Sequence, residues 1–106
     1  IEGVLFIAGD WHVGVLNRLH RPQDAYPLYE LLSSNIAVKI IPRDTVEIAQ
    51  GPSNNQWASP FVQNFNFGLL RFTGKRNNRT LTLQIIDEKG ATRIELQINE
   101  SDLAYR

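Results

Sequence analysis

A mainly β domain is predicted by three features of the sequence. Leu81, Leu83 and Ile85 alternate with Thr80, Thr82 and Gln84, and Ile94, Leu96 and Ile98 alternate with Arg93, Glu95 and Gln97. A period of two gives a strand with one apolar and one wet face. The segments Phe67 to Thr73, Arg79 to Ile86 and Thr92 to Ile98 are joined by GKRNN and DEKG, short polar connections with glycine that suit antiparallel hairpins. A C-terminal three-stranded antiparallel meander is therefore expected. Near the start, Val4 to Ala8 is a continuous apolar run closed by Gly9, the pattern of a central strand buried on both faces.

The remaining elements follow in order. Val13 to Leu19 is short and interrupted by glycine, which argues against a helix, and RPQDAYP from Arg21 to Pro27 is turn chemistry, so a loop is expected to return the chain to the sheet. Leu28 to Leu32 starts a second apolar segment, Ser33-Ser34-Asn35 breaks it, and Ile36 to Ile41 resumes with β-branched residues, which fits two short strands or one bulged strand. Pro42 to Asn64 is a long connection rich in proline and polar residues. Ser101-Asp102-Leu103 reads as a terminal cap or turn.

Composition narrows the function classes. The 106 residues suit one domain, and 11 basic residues balance 11 acidic ones, so no global field draws the chain to nucleic acid. The absence of cysteine removes disulfides, thiolate metal sites and a cysteine nucleophile. No apolar run approaches the roughly 20 residues of a membrane span, and the N-terminus lacks signal-peptide blocks. The chain begins at Ile1, almost inside a strand, and has no methionine, which suggests a piece of a longer polypeptide.

Chemistry concentrates in Gly9-Asp10-Trp11-His12. If the first strand stays extended through His12, its period of two aims Asp10 and His12 to one side. Carboxylate oxygen and imidazole nitrogen suit borderline and hard divalent metals, and the preceding glycine lets the backbone turn tightly. The alternative is a plain turn, because a lone D-x-H motif often arises by chance.

The stretches VLFIAGDWHVGVLNRLHRP, YPLYELLSS, NFGLLRF, RTLTLQIIDEKG and INESDL together resemble the C-terminal part of the PhoD-like alkaline phosphatases and phosphodiesterases, within the calcineurin-like metallophosphoesterases. The resemblance runs in order through nearly all of the chain, with no family pattern over Ala37 to Phe61. It implies a layered α/β sandwich with a dinuclear metal site at strand ends, of which these residues would form half, a mainly β (α+β) fragment. It implies that Gly9 to His12 is the last metal-binding motif, with Asp10 and His12 as ligands. Most calcineurin-like relatives carry G-H-x-H there, so Asp10 is a departure that bears on which metal is bound and how directly. D-x-H is also the first motif of such enzymes, but that placement requires a further G-D and a G-N-H downstream, and neither is present.

By the same resemblance the parent would hydrolyse phosphomonoesters or phosphodiesters with a pair of Fe, Ca, Mn or Zn ions, and would be secreted or periplasmic. The other ligands would lie in an N-terminal part, leaving residues 1–106 inert alone, with too few ligands to require a bound metal, and prone to self-association through exposed Val4 to Ala8. No nucleic-acid partner and no membrane segment are expected, and no substrate-binding residue is assigned. His20, between Arg18 and Arg21-Pro22, reads as a solvated loop residue before a third ligand, and Arg18 and Arg21 reach substrate phosphate only if the fold brings them to Asp10 and His12. Trp11 is expected to pack on the sheet, Trp57 to serve an exposed interface, and Phe65 and Phe67 to pack beside Asn64 and Asn66. The competing reading is a non-catalytic β-rich binding or assembly module. A third is a structural domain of a degenerate enzyme.

Overall fold

Alternating aliphatic residues build the C-terminal half. The computed structural model describes residues 1–22, 25–37, 55–57 and 59–105. Its long hairpins are β5 (Asn66–Lys75), β6 (Asn78–Asp87) and β7 (Thr92–Asn99), an antiparallel sheet in that order, as the alternation predicts. Register aligns Leu70, Leu83 and Leu96 in one row, with Gly68, Ile85 and Ile94 on one side of it and Phe72, Leu81 and Ile98 on the other. All nine positions therefore share the inner face.

Turn chemistry sets this register. Arg76 and Asn77 connect β5 to β6, with Asn77 at φ +66°. Gly74 sits at φ +90°, where an added Cβ would lie 2.5 Å from the Asn78 carbonyl oxygen, so a side chain does not fit. In the second hairpin Gly90 takes φ +79° and donates its N–H to the Asp87 carbonyl. Asp87 Oδ1 accepts the N–H groups of Lys89 and Ala91, at 2.9 and 3.0 Å, and Oδ2 lies 3.3 Å from the Arg93 guanidinium. A 3₁₀ helix over Glu100–Leu103 ends the fold, the Asn99 N–H being capped by Asp102 and Leu103 being buried.

The second sheet contains β1 (Leu5–Ala8), β2 (Gly14–Leu19), β3 (Leu28–Ser33) and β4 (Asn55–Trp57), in the order β1-β3-β2-β4. β1 runs parallel to β3, and β2 runs antiparallel to both β3 and β4. Val13 to Leu19, which the sequence left unassigned beyond excluding a helix, contains the interior strand Gly14–Leu19, because pairing on both sides overrides the weak local pattern left by Gly14, Asn17 and Arg18. One expectation is corrected here. Val4 to Ala8 does contain a strand, but at the sheet edge, with Phe6 50% and Ile7 68% exposed. Among the described residues, no strand covers its outer side.

The two sheets pack face to face. Leu16 and Leu31 from one meet Leu81, Leu83, Ile85, Ile94 and Ile98 from the other in a common core, extended by Tyr26, Val62 and Leu103. Val13, Val15 and Leu32 form a smaller cluster on the opposite face of the four-stranded sheet, with Ala8, Trp11 and Phe61 against it. Leu28 to Leu32 is a strand and Ser33-Ser34-Asn35 ends it, as expected; of the segment Ile36 to Ile41, Ile36 and Ala37 are not strand, and Val38 to Ile41 and most of the Pro42 to Asn64 connection lie outside the described residues. No described helix is long and apolar enough to cross a membrane.

The Asp87 turn carries a pH dependence. The Ala91 N–H bond outweighs the opposing effect of desolvation and, with the Lys89 N–H and the Arg93 guanidinium, holds the Asp87 carboxyl below its ordinary value. A lowered native pKa contributes stability that is complete above the unfolded-state value, about 3.9, and is lost as pH falls through the native value. Asp87→Asn is expected to lower the melting temperature at neutral pH and to flatten its decline below about pH 4, as followed by circular dichroism.

Candidate metal centre

Asp10 and His12 lie on the link between β1 and β2, which crosses the C-terminal end of β3 because β3 separates the two strands. Antiparallel pairing places the start of β2 beside the end of β3, with Gly14 opposite Ser33. The motif therefore sits at the C-terminal edge of β1 and β3, as expected from the sequence.

The local conformation differs from expectation. β1 ends at Ala8, and residues 9–13 are not strand. Asp10 has φ +73° and His12 φ +57°, so extended alternation does not aim these side chains; two left-handed residues on either side of Trp11 do. Asp and His are among the residues that tolerate this region best, though it costs on the order of 1–3 kcal/mol each. Gly9 is not left-handed, and an added Cβ there would meet only Ser34 Cβ at 3.5 Å, an ordinary contact. The tight turn therefore belongs to Asp10 and His12, not to Gly9.

Two sets of hydrogen bonds hold the link. The His12 N–H donates to Ser34 Oγ at 2.7 Å, fixing the loop to the end of β3. Gly14 and Val62 exchange backbone N–H bonds of 2.8 and 2.7 Å. Beneath them Asn66 is almost fully buried: its Oδ1 accepts the Ser33 hydroxyl at 2.7 Å, its Nδ2 donates to the Asn64 carbonyl at 2.8 Å, and its N–H donates to the Asn35 carbonyl at 3.0 Å. An added Cβ on Gly14 would come within 2.8 Å of Asn66 Oδ1 and 3.0 Å of Ile85 Cγ2. The sheets approach each other here only because residue 14 lacks a side chain.

Trp11 is half-buried and meets Phe61 at a ring separation of 6.0 Å, packing on the sheet as expected. His12 Nδ1 is buried and has no hydrogen-bond partner among the described residues, whereas Asp10 is exposed. An orphaned imidazole nitrogen and a nearby carboxylate on one loop fit a metal site in donor chemistry. They do not fill one: among the described residues, no group of three or more His, Cys, Asp or Glu side chains is placed to hold an ion.

Other candidates fall elsewhere. His20 follows β2 at its far end, about 20 Å of strand from His12. Arg18 and Arg21 are at that end too, their guanidinium carbons 5.8 Å from the Tyr29 ring centre and 4.4 Å from that of Tyr26, lining a cleft of about 280 Å³ with His20 and Asp102. Neither arginine joins Asp10 and His12. The expected packing of Phe65 and Phe67 is corrected: they are 36% and 41% exposed, and Asn66 between them is the buried residue. Trp57 lies on β4 opposite Asn17, but its side chain lies outside the described residues. Ser34 and Asn66, which position the motif, were not singled out by sequence reasoning as part of it.

Comparison with family models, curated proteins and solved structures finds no match to this chain.

Two glycines flanking the motif are expected to respond oppositely. Gly14→Ala should lower stability by about 1–3 kcal/mol through overpacking against Asn66 and Ile85. Gly9→Ala should leave it unchanged or raise it by up to about 1 kcal/mol. Denaturant unfolding of the two variants measures both.

Proposed function

We propose that residues 1–106 form the C-terminal portion of a metal-dependent phosphoesterase of PhoD-like type, to which Asp10 and His12 contribute the last metal-binding motif. One observation carries the reading most strongly. The two residue types the motif needs occupy a strained loop at a strand edge, anchored by Ser34 and leaving His12 Nδ1 unpartnered. Strain retained beside an unused donor set is a pattern of functional sites. The ordered resemblance along the sequence supports the same reading.

The residues' roles follow from their chemistry. His12 supplies a neutral nitrogen donor, Asp10 an anionic oxygen donor, and the His12 N–H bond to Ser34 holds the loop they share. A bound metal pair would supply Lewis-acid polarisation of phosphoryl oxygens and a bound water of lowered pKa. Two donors make an incomplete shell among the described residues; by the family resemblance the remaining ligands come from an N-terminal part, without which the chain would not hydrolyse phosphoesters. The alternative, a non-catalytic β-rich binding module, rests on that same shortfall of ligands and assigns the loop to a turn.

Calorimetric titration of Mn²⁺ and Zn²⁺ into the chain separates the two readings. The proposal expects weak binding that is lost in Asp10→Asn and His12→Ala, together with no turnover of p-nitrophenyl phosphate. Asp10→Gly should lose binding as well while keeping or raising stability by up to about 1 kcal/mol, since glycine relieves the left-handed strain. Binding indifferent to these substitutions would favour the module.

A further inference from the structure

The open edge of β1 is unlike the two edges of the meander, and it is longer and more apolar in sequence than the three-residue β4 at the other edge of its own sheet. β5 carries Arg71 and Lys75, and β7 carries Arg93 and Glu95, charges that discourage strand addition. β1 is Leu-Phe-Ile-Ala, with no charge, proline or bulge, and among the described strands it pairs on one side only, with β3. Its outer side presents unpaired backbone N–H and C=O groups along an apolar strand.

Apolar surface flanks this edge on both faces. Leu5 and Ile7 face the meander and share a groove of about 400 Å³ with Leu70, Phe72 and Leu103. Ile7 and Phe72 are inner-face residues, yet they are 68% and 66% exposed because no described strand beyond β1 closes the sandwich there. On the opposite face Phe6, 50% exposed, borders a second cleft in which Leu19, Leu28 and Tyr29 stand beside Asn17 and Glu30. An extended strand that is apolar on its inner face and tolerates apolar contact with Phe6 on its outer face fits this edge. Among the described strands, the one that is apolar at every position is β1 itself.

We propose that β1 pairs antiparallel with β1 of a second copy of this chain, joining two four-stranded sheets across a two-fold axis. An axis perpendicular to the sheet keeps inner faces inner, so opposed residues must have the same parity in the sequence. Centring on Phe6 pairs the whole run: Phe6 with Phe6 on the outer face, Leu5 with Ile7 on the inner face, and Val4 with Ala8. No like charges oppose within it. Antiparallel pairing sends the two Asp10–His12 loops to opposite ends, so the dimer does not complete the metal shell. A strand this short buries less than the roughly 1,200 Å² of stable interfaces, and the expected dissociation constant is about 10–100 µM.

Sedimentation of the unaltered chain from about 5 to 500 µM, spanning that range, is the test, with a cross-link to report the register. A monomer–dimer equilibrium is expected, weakened tenfold or more in Ile7→Lys. The chain has no cysteine, so Phe6→Cys introduces a single thiol. Opposed Cα atoms about 5 Å apart in the paired strand meet disulfide geometry, and Phe6→Cys should cross-link under mild oxidation while Ile36→Cys, the more open to solvent of the two positions, should not. A monomer throughout, a dimer indifferent to Ile7→Lys, or equal cross-linking of the two cysteine variants would overturn the proposal.

Discussion

The buried Asn66 amide is the constraint on which the rest of the structure depends. One planar group accepts from Ser33 on the four-stranded sheet, donates to Asn64 in its own approach to the meander, and lies where the backbone N–H reaches Asn35. Buried amides must satisfy their donors and acceptors or lose their desolvation energy. The bonds therefore fix how the sheets meet at one end of the sandwich. Gly14 permits the approach by leaving room for Asn66 Oδ1 and Ile85.

From that junction the order propagates to the motif. Ser33 is held by Asn66, and its neighbour Ser34 holds the His12 N–H. Gly14, pinned by Val62, fixes the other end of the link. A five-residue connection that must cross the end of β3 between such fixed points has little freedom, and it is accommodated by left-handed backbone at Asp10 and His12. The conformation that presents the candidate ligands is thus maintained by packing outside the motif, in keeping with strain over-determined by its surroundings.

The sandwich is asymmetric across its width. The meander brings three strands, each paired by long hairpins, and its inner row of Leu70, Leu83 and Leu96 runs the width of that sheet. The facing sheet closes over Leu16 and Leu31 but stops at β1, leaving Ile7 and Phe72 at an open mouth. Hydrophobic burial and backbone pairing are satisfied together in the middle of the molecule and lapse together at this edge.

The meander was legible because its information is local: strict alternation in β6 and β7, glycine and polar residues at the turns, and Ser101 to Leu103 as a cap. Asp10 and His12 were legible as residue types at the end of an apolar strand. Their left-handed geometry was not, since it arises from the crossing over β3, a topological fact with no signature in Gly9-Asp10-Trp11-His12. β2 was obscured because Gly14 and Asn17 break the pattern that pairing to β3 and β4 restores. Asn66 was hidden between two phenylalanines, and only the approach of the two sheets buries the amide and leaves the rings exposed. The sequence by itself determined which segments extend and which residues carry chemistry, because short-range sterics and period decide those. Tertiary structure alone decided which strand is an edge, which polar group is buried and which loop is strained, because each depends on partners distant in the chain.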